Sequence, residues 1–316
     1  MNLSAIMTRA ALGTCAGLAL WMPLSANATT SYGAPVAFER PGFTNIRLWD
    51  ISDSGVIVGA SDGVGFTYSA GTFTSFSYPD ATTETSLTGV ANNGTLVGTY
   101  SSGDVTVDFH GFIYSGGSYK AFDIAGAVST SIRHISSDAR YLTGYTTDAT
   151  GAGSAFAFDL SSNTYTNLGV AGDGLSIAQG ANTLGQVTGS FSRSGGIRGS
   201  FIVDLNTMVR TEYLEAAGMT GPRFRDINDA GVVTGFSTSG AGFVGKPGDW
   251  TVFSAPVDSS TYGYGLNNSG ILVGYTADNV TGAQTGWVAA PIPEPGTWAL
   301  MALGLASLAL RKRSQG

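Results

Sequence analysis

Charged residues are scarce in this sequence, and basic residues are scarcer than acidic ones. Asp, Glu, Lys and Arg make up 12% of the 316 residues, against about 25% in an average soluble protein. The 15 basic and 22 acidic residues give a net charge of −7. This balance argues against a surface that binds nucleic acid phosphates, so we expect no nucleic acid partner.

Cysteine and histidine are nearly missing as well. Cys15 is the single cysteine, so the chain can form neither a disulfide framework nor a cysteine-based zinc cluster. The two histidines, His110 and His134, leave little imidazole for catalysis or for metal binding. We therefore expect no cofactor and no resident metal.

Glycine and apolar residues are abundant. The chain contains 46 glycines, and 43% of its residues are hydrophobic, which excludes a solvated disordered chain. Glycine costs roughly 1 kcal/mol at each interior helix position, so this content also excludes a helical bundle. The composition predicts an all-β protein.

The N-terminal end has the features of a targeting segment. Arg9, an apolar stretch over residues 10–24 and the small residues Ala26 and Ala28 are typical of a secretory signal peptide. We expect signal peptidase to remove residues 1–28. Cys15 lies inside the apolar stretch rather than after it, which disfavours lipidation.

The C-terminal end, residues 292–316, combines three features in order. A box of Pro293, Glu294, Pro295 and Gly296 precedes an apolar run over residues 298–310, and Arg311, Lys312 and Arg313 follow it. Thirteen helical residues span about 20 Å, less than the ~30 Å hydrocarbon core of a bilayer. The basic end would stay on the cytoplasmic side. A short tail anchor is the simpler interpretation.

This order of a Pro-Glu-Pro box, a short apolar helix and a basic terminus closely resembles the PEP-CTERM sorting signal. That signal belongs to Gram-negative bacteria that export extracellular polysaccharide. The resemblance implies recognition by an exosortase, transient anchoring in the inner membrane through a C-terminal transmembrane helix, and removal of the tail near Pro293. It concerns sorting and not the function of the cargo.

Between the two ends, residues 29–291 repeat a nine-residue motif, in which an Asn/Asp-x-Gly turn precedes an apolar run and a closing glycine. Clear copies occupy residues 51–59, 90–98, 227–235 and 266–274, and two looser copies end at Gly144 and Gly189. The closing glycines recur every 39 to 46 residues. A period of this length is typical of propeller blades or helical solenoid units.

Each repeat also has the residue types of a four-stranded meander. Glycine in the turn tolerates positive φ, and the β-branched run after it is a buried strand. A Gly-aromatic pair follows, as in Gly65-Phe66, Gly111-Phe112, Gly242-Phe243 and Gly286-Trp287, with Ala155-Phe156 and Ser200-Phe201 as variants. Fourth strands are predicted at residues 72–77, 119–123, 164–168, 209–213 and 250–254. Four short strands per repeat predict a six-bladed β-propeller-like ring.

The sixth repeat has no fourth strand after Trp287, because the sorting tail begins there. Residues 36–39 near the N-terminus form a spare strand that could complete it. This pairing would close the ring and leave no long exposed edge. An open β-solenoid is the alternative.

The repeat motif resembles the extracellular repeats named for His-Ala-Phe, the HAF family, over roughly residues 36–290. The name-giving triplet is degenerate here, with His110-Gly111-Phe112 the nearest match. The resemblance implies an exported β-repeat protein and supplies no catalytic residues.

Several patterns could indicate chemistry, and each has an ordinary alternative. Residues 59–63 match the G-x-S-x-G nucleophile elbow, but a strand rather than a helix is predicted after them. The Asp-rich turns at 50–55 and 226–231 lack the distant Glu of a calcium loop. Asp108 and His110 share a predicted strand face, where a structural histidine is the simpler interpretation, and His134 at a strand start has still less support. A catalytic acid pair could converge at the mouth of the ring, but the sequence does not show which acids.

These features predict an exported, non-enzymatic protein of the cell surface or extracellular matrix, with no catalytic residues. Exopolysaccharide is the candidate partner outside the cell, and exosortase and signal peptidase are the expected processing partners. The alternatives are a polysaccharide-active hydrolase or lyase that uses acids in the propeller funnel, and a permanently membrane-tethered periplasmic binding protein.

Overall fold

The structure is a computed structural model, and it describes residues 31–40, 42–103, 108–253 and 258–292. The predicted signal helix and the predicted sorting helix lie outside these ranges. Within the described ranges, no helix has the length and apolarity needed to cross a membrane.

The described residues form 26 strands and one short 3-10 turn at Ser194–Gly196. The first nine strands are β1 (Val36–Phe38), β2 (Arg47–Ile51), β3 (Ile57–Ser61), β4 (Val64–Ser69), β5 (Thr72–Phe76), β6 (Glu84–Val90), β7 (Leu96–Ser101), β8 (Phe109–Ser115) and β9 (Ser118–Phe122). The next eight are β10 (Ser129–Ile135), β11 (Tyr141–Thr147), β12 (Gly153–Asp159), β13 (Thr164–Asn167), β14 (Asp173–Ala181), β15 (Gln186–Arg193), β16 (Arg198–Asp204) and β17 (Val209–Tyr213). The last nine are β18 (Glu215–Ala216), β19 (Met219–Thr220), β20 (Arg223–Ile227), β21 (Val233–Phe236), β22 (Gly242–Lys246), β23 (Asp249–Phe253), β24 (Ser259–Leu266), β25 (Leu272–Asp278) and β26 (Gln284–Ala289).

The strands assemble into an all-β, propeller-like fold. Four sheets are separate four-stranded blades, with the orders β2-β3-β4-β5, β6-β7-β8-β9, β20-β21-β22-β23 and β1-β26-β25-β24. Strands β10 to β17 form one eight-stranded sheet, and β18 and β19 form a two-stranded ribbon. The first strands of the repeats contact one another in sequence, and β24 contacts β2, so they surround a common axis. This contact contradicts an open solenoid.

The prediction of six separate blades is wrong, because the sheet pairing yields four. The third and fourth repeats merge where Gly153 of β12 pairs in parallel with Leu175 of β14. The short β13 covers only residues 156–159 of β12, so the backbone near Gly153 is an open edge. The nine-residue β14 extends far enough to cover it. Free strand edges attract such pairing because their N–H and C=O groups need partners.

The predicted role of the N-terminal strand is confirmed. Strand β1 pairs antiparallel with β26, with Ala37 opposite Trp287. Phe38 also reaches the neighbouring blade, where its ring lies 4.9 Å from that of Tyr68 and 5.6 Å from that of Phe73. The N-terminal strand therefore completes the last sheet and links it to the first blade.

Packing explains why every repeat has both a closing glycine and a buried aromatic residue. In each repeat the aromatic side chain is fully buried and its ring lies on the closing glycine, in the pairs Gly59/Phe66, Gly98/Phe112, Gly144/Phe156, Gly189/Phe201, Gly235/Phe243 and Gly274/Trp287. A Cβ atom at any of these glycines would collide with the ring and with a backbone carbonyl oxygen of the adjacent inner strand. The interior is close-packed, so only glycine fits.

Removing the Phe38 side chain should weaken ring closure. Phe38→Ala loses the ring contacts to Tyr68 and Phe73, and we expect the free energy of unfolding to fall by about 1–3 kcal/mol. Chemical denaturation measures this change. Val36→Ala, at a side chain that is 68% exposed on the same strand, is the matched control and should have little effect. Equal stability of the two variants would contradict the proposed closure.

The predicted positive φ angles of the turn glycines Gly55, Gly94, Gly231 and Gly270 are confirmed at 82°, 83°, 73° and 81°. A Cβ atom at Gly231 would meet no heavy atom within 4 Å, so any cost of substitution is conformational. Gly231→Val should lower the free energy of unfolding by about 1–3 kcal/mol.

The third repeat has Ala139 in the corresponding turn, at a φ of 63°, and offers the reverse substitution. Ala139→Gly should raise the free energy of unfolding by about 1 kcal/mol, because it relieves a left-handed alanine. Opposite signs for the two variants in thermal and chemical unfolding are the expected result, and a neutral Gly231→Val would count against this explanation.

Candidate functional site at the ring axis

The first strand of every repeat carries a β-bulge close to the ring axis. The register shifts fall immediately before six corresponding residues, Asp50, Gly89, His134, Gly180, Asp226 and Gly265. Bulges redirect side chains. Polar residues and glycines therefore alternate around the axis, with three repeats of each kind.

The three glycines allow the polar residues of the neighbouring repeats to come close. A Cβ atom at Gly180 would lie 2.6 Å from Cα of Asp226, and one at Gly265 would lie 2.5 Å from Cα of Asp50. Gly89 has the same relation to His134, at 3.1 Å. The pseudo-threefold alternation is thus a packing requirement of the axis.

Each polar residue on the axis accepts a hydrogen bond from the next repeat. Val90 N–H donates to Asp50 Oδ2 at 2.8 Å, and Leu266 N–H donates to Asp226 Oδ2 at 2.8 Å. Ala181 N–H donates to His134 Nδ1 at 3.3 Å. Every donor is the residue directly after a glycine of the alternating set. The side chains therefore join neighbouring repeats in pairs.

The two carboxylates are further occupied by their own strands. Asp50 Oδ1 accepts from Ile51 N–H at 2.7 Å, and Asp226 Oδ1 accepts from Ile227 N–H at 2.7 Å. Both aspartates are 2% exposed. Each carboxylate thus satisfies two buried backbone donors that would otherwise lack partners.

His134 lies between the two aspartates. Its Nε2 atom is 3.4 Å from Asp226 Oδ1 and 3.6 Å from Asp50 Oδ2. Because Nδ1 accepts the Ala181 N–H bond, the proton of the neutral ring resides on Nε2, facing both carboxylates.

Burial raises the pKa of both aspartates. For Asp50 the pKa rises to about 7, with the positive charge of His134 opposing the rise and the nearby Asp226 adding to it. The pKa of Asp226 is also raised, mainly by burial and against His134. Burial therefore favours the neutral form of both carboxyl groups, and His134 opposes this.

Asp50, His134 and Asp226 offer ligand atoms within 4.8 Å of one another, a spacing that could hold a metal ion. The hydrogen bonds fit such an ion poorly. A metal needs the lone pair of His134 Nε2, whereas the Ala181 N–H bond places the ring proton there. The adjoining cavity measures about 20 Å³, room for about one water molecule. The hydrogen bonds and the small volume therefore argue against a metal ion at this cluster.

The Asp-rich turns form a belt of hydrogen bonds between repeats at the same end of the axis. Asn268 N–H donates to Asp53 Oδ1 at 2.8 Å, and Asn268 Nδ2 reaches both Asp53 and Asp229. Asn92 Nδ2 donates to Asp53 Oδ2 at 2.7 Å. Burial of Asp53 opposes ionisation, but the hydrogen bonds from Asn92 and Asn268 outweigh it and lower its pKa. These turns therefore connect repeats, and Asp53 also connects the first repeat to the last.

The serine of the G-x-S-x-G match is not an exposed nucleophile. Ser61 ends β3, β4 follows directly, and Ser61 Oγ donates to the Thr44 carbonyl oxygen at 2.6 Å. The strand predicted after this motif is confirmed. Since a nucleophile elbow needs a helix there, the match carries no chemistry.

The other histidine, for which a structural role was predicted, lies between two aspartates. His110 Nδ1 lies 2.9 Å from Asp123 Oδ2, and Nε2 lies 3.1 Å from Asp108 Oδ1. Partial burial disfavours the charged ring, but Asp123 and Asp108 outweigh it and raise the pKa of His110. The ring also stacks on Tyr100, at 5.2 Å between centroids.

The predicted position of His134 at the start of a strand is wrong. His134 is the penultimate residue of β10 and not at a strand start, and it occupies the axis. The convergent acids that the sequence left unnamed are Asp50 and Asp226. The signal that could have identified them is the residue after the bulge in the first strand, which is polar in one repeat and glycine in the next.

Residues 291–314 match the PEP-CTERM protein-sorting motif, as predicted from the Pro-Glu-Pro box onward. The predicted sorting residues 293–296 and 311–313 fall inside this match and outside the described residues. Ala26 and Ala28 of the predicted cleavage site also lie outside the described residues. The motif suggests exosortase-dependent export, with membrane anchoring before processing. No curated protein sequence matches this chain.

Solved structures with a similar backbone are propellers at low identity. The β-propeller domain of the Trilobed protease from Pyrococcus furiosus is 8% identical, with a TM-score of 0.49 over 81% of this chain and 85% of that one. TolB from Acinetobacter baumannii is 8% identical, with a TM-score of 0.46 over 82% of this chain and 68% of that one. A prolyl endopeptidase is 10% identical, with a TM-score of 0.45 over 81% of this chain, which spans only 44% of its length.

Removing one axial carboxylate should destabilise the ring in a pH-dependent way. Asp50→Ala leaves the N–H groups of Ile51 and Val90 without partners and should cost about 2–5 kcal/mol. Asp249→Ala, at an exposed residue that begins β23, is the control and should cost less than about 0.5 kcal/mol.

The stability difference between wild type and Asp50→Ala should shrink as the pH rises. An acid whose pKa is higher in the folded state binds its proton more tightly when folded. The contribution of Asp50 to the free energy of unfolding is therefore complete below the unfolded pKa of 3.8, and it is lost as the pH rises through the folded pKa of about 7. Urea unfolding at pH 5 and pH 8 measures this. A difference that grows with pH would show that Asp50 is ionised in the fold.

Proposed function

We propose that this chain is an exported, non-enzymatic protein of the cell surface or extracellular matrix, whose propeller-like ring is delivered by the C-terminal sorting signal. The match of residues 291–314 to the PEP-CTERM motif carries this proposal. Signal peptidase removes the N-terminal segment, and exosortase processes the tail after a transient stay in the inner membrane. Exopolysaccharide is the proposed partner outside the cell.

The chemistry of the ring supports a non-enzymatic role. Asp50 and Asp226 are the converging acids, but each is bonded to two backbone N–H groups and buried beside a cavity of about 20 Å³. A glycoside hydrolase needs two carboxyl groups flanking a bound sugar, and no sugar ring fits here. The axial acids are therefore structural in this proposal.

We also propose that the two halves of the eight-stranded sheet, β10–β13 and β14–β17, act as two blades of a ring of six related repeats. Each half is an antiparallel meander, and only the Gly153–Leu175 pairing joins them. The HAF-type resemblance belongs with this proposal, since it describes the same repeat unit.

Replacing Glu294 in the sorting box with alanine should trap the protein in the inner membrane with its tail attached. The box is the recognition site outside the membrane, while the apolar run and basic end would still anchor the chain. Cell fractionation and intact mass measure location and processing. Asp249→Ala, an exposed acid of the ring, is the control and should be processed normally.

Two results would contradict the proposal. Wild-type protein in the inner membrane that retains residues 311–313, in a cell with an exosortase, would favour the permanent anchor. Release of new chain ends from an exopolysaccharide, lost in the Asp50→Ala variant while that variant remains folded, would favour the enzyme.

A further inference from the structure

The inner strands also carry a group of arginines that is separate from the acid–histidine cluster. Arg47 on β2, Arg133 on β10, and Arg223 and Arg225 on β20 belong to this group. They concentrate positive charge in a protein of net charge −7. Burial lowers the pKa of Arg225, and the positive charges of Arg133 and Arg223 add to that lowering, so these side chains repel one another.

The four arginines have no acidic partner among the residues that the structure describes. The arginine–carboxylate ion pairs there use Arg140, Arg193 and Arg210. Some of the charge is stabilised by aromatic rings instead. Arg225 lies 4.6 Å from the centroid of Tyr264, and Arg47 lies 5.5 Å from that of Trp49. Rings do not satisfy the N–H groups of these side chains.

Several buried N–H donors around the axis make no hydrogen bond with any described residue. They are Arg47 Nε, Trp49 Nε1, Arg133 Nε, Gln179 Nε2 and Arg225 Nε. All five atoms are donors, and an unsatisfied buried donor costs about 1–3 kcal/mol. A set of buried donors without acceptors is complementary to an anion.

Three of the residues that carry these donors line one cavity. Arg47, Trp49 and Arg133 border a space of about 190 Å³, together with Glu84, Ser101 and Tyr100. The volume is below the ~300 Å³ at which drug-sized sites begin, but it exceeds what a single ion needs. The edge-to-face contact of Trp49 with Tyr264, at 4.5 Å, holds the indole in place.

The cavity also contains groups suited to hydroxyls. Ser101 Oγ is buried without a partner, and Glu84 is the acid among the lining residues. A carboxylate accepts hydrogen bonds from hydroxyl groups, whereas it repels a second compact anion. The lining therefore combines donors for one carboxylate with an acceptor for neutral hydroxyls.

We propose that this cavity binds a small hydroxylated carboxylate of the size of one sugar acid, such as a hexuronic acid unit. Its carboxylate bonds to the guanidinium groups of Arg47 and Arg133, and its hydroxyls bond to Glu84. This inference names a ligand class for the ring and does not depend on the sorting signal.

Calorimetric titration of the purified full-length chain tests the proposal with three probes: glucuronate, glucose and inorganic phosphate. We expect saturable glucuronate binding that weakens as salt is added, and binding of glucose and phosphate at least about tenfold weaker. Arg47→Gln and Arg133→Gln should each weaken glucuronate binding at least about tenfold. Arg198→Gln, at an exposed arginine, is the control and should bind as wild type.

Arg47→Lys keeps the positive charge and removes only the guanidinium fork that pairs with a carboxylate, so it tests the site even where a glutamine variant fails to fold. It should weaken glucuronate binding several-fold while the melting temperature stays near that of wild type. Absent glucuronate binding, or binding insensitive to the folded variants, would overturn the site. Phosphate binding as tight as glucuronate binding would overturn the sugar-acid assignment. Neither result bears on whether residues 291–314 direct export.

Discussion

The ring depends on satisfying the backbone N–H groups that its inner strands bring to the axis. Six strands that converge on one axis leave donors facing a space too narrow for water to serve them all, and each unsatisfied donor is costly. Asp50, His134 and Asp226 supply the acceptors, and glycines in the intervening repeats supply the room. The peripheral strands can vary in length because this condition is met at the centre.

That condition also explains why polar residues and glycines alternate around the axis, so that the pattern recurs every two sequence repeats rather than in every one. An acceptor in every repeat would crowd six polar side chains into a small space, whereas a glycine in every repeat would leave the donors without partners. Histidine in the third repeat avoids a third buried carboxylate. Its Nε2 proton faces the two aspartates, so the cluster carries less negative charge than three acids would.

Local features were predictable from the sequence because their causes are local. The turn glycines, the buried Phe and Trp residues, and the spare strand at residues 36–39 are encoded in stretches of a few residues. The axial cluster was not, since Asp50, His134 and Asp226 are far apart in the chain and meet only in the assembled ring. The pairing of Gly153 with Leu175 was missed for another reason: it depends on where β13 stops, and strand ends follow tertiary contacts more than sequence.

The pairing of the two ends of the ring determines when its folding can finish. Ile292 N–H donates to the Ser31 carbonyl oxygen at 2.8 Å, and Val36 lies opposite Val288, so the first and last described segments are neighbours. If the chain is exported from its N-terminus, as proposed above, β1 stays unpaired until β26 has crossed the membrane. The hydrogen bond from Ile292 to Ser31 then forms directly before residue 293, where the sorting box begins. Closure of the ring and presentation of the tail to the membrane are therefore neighbouring events in both space and time.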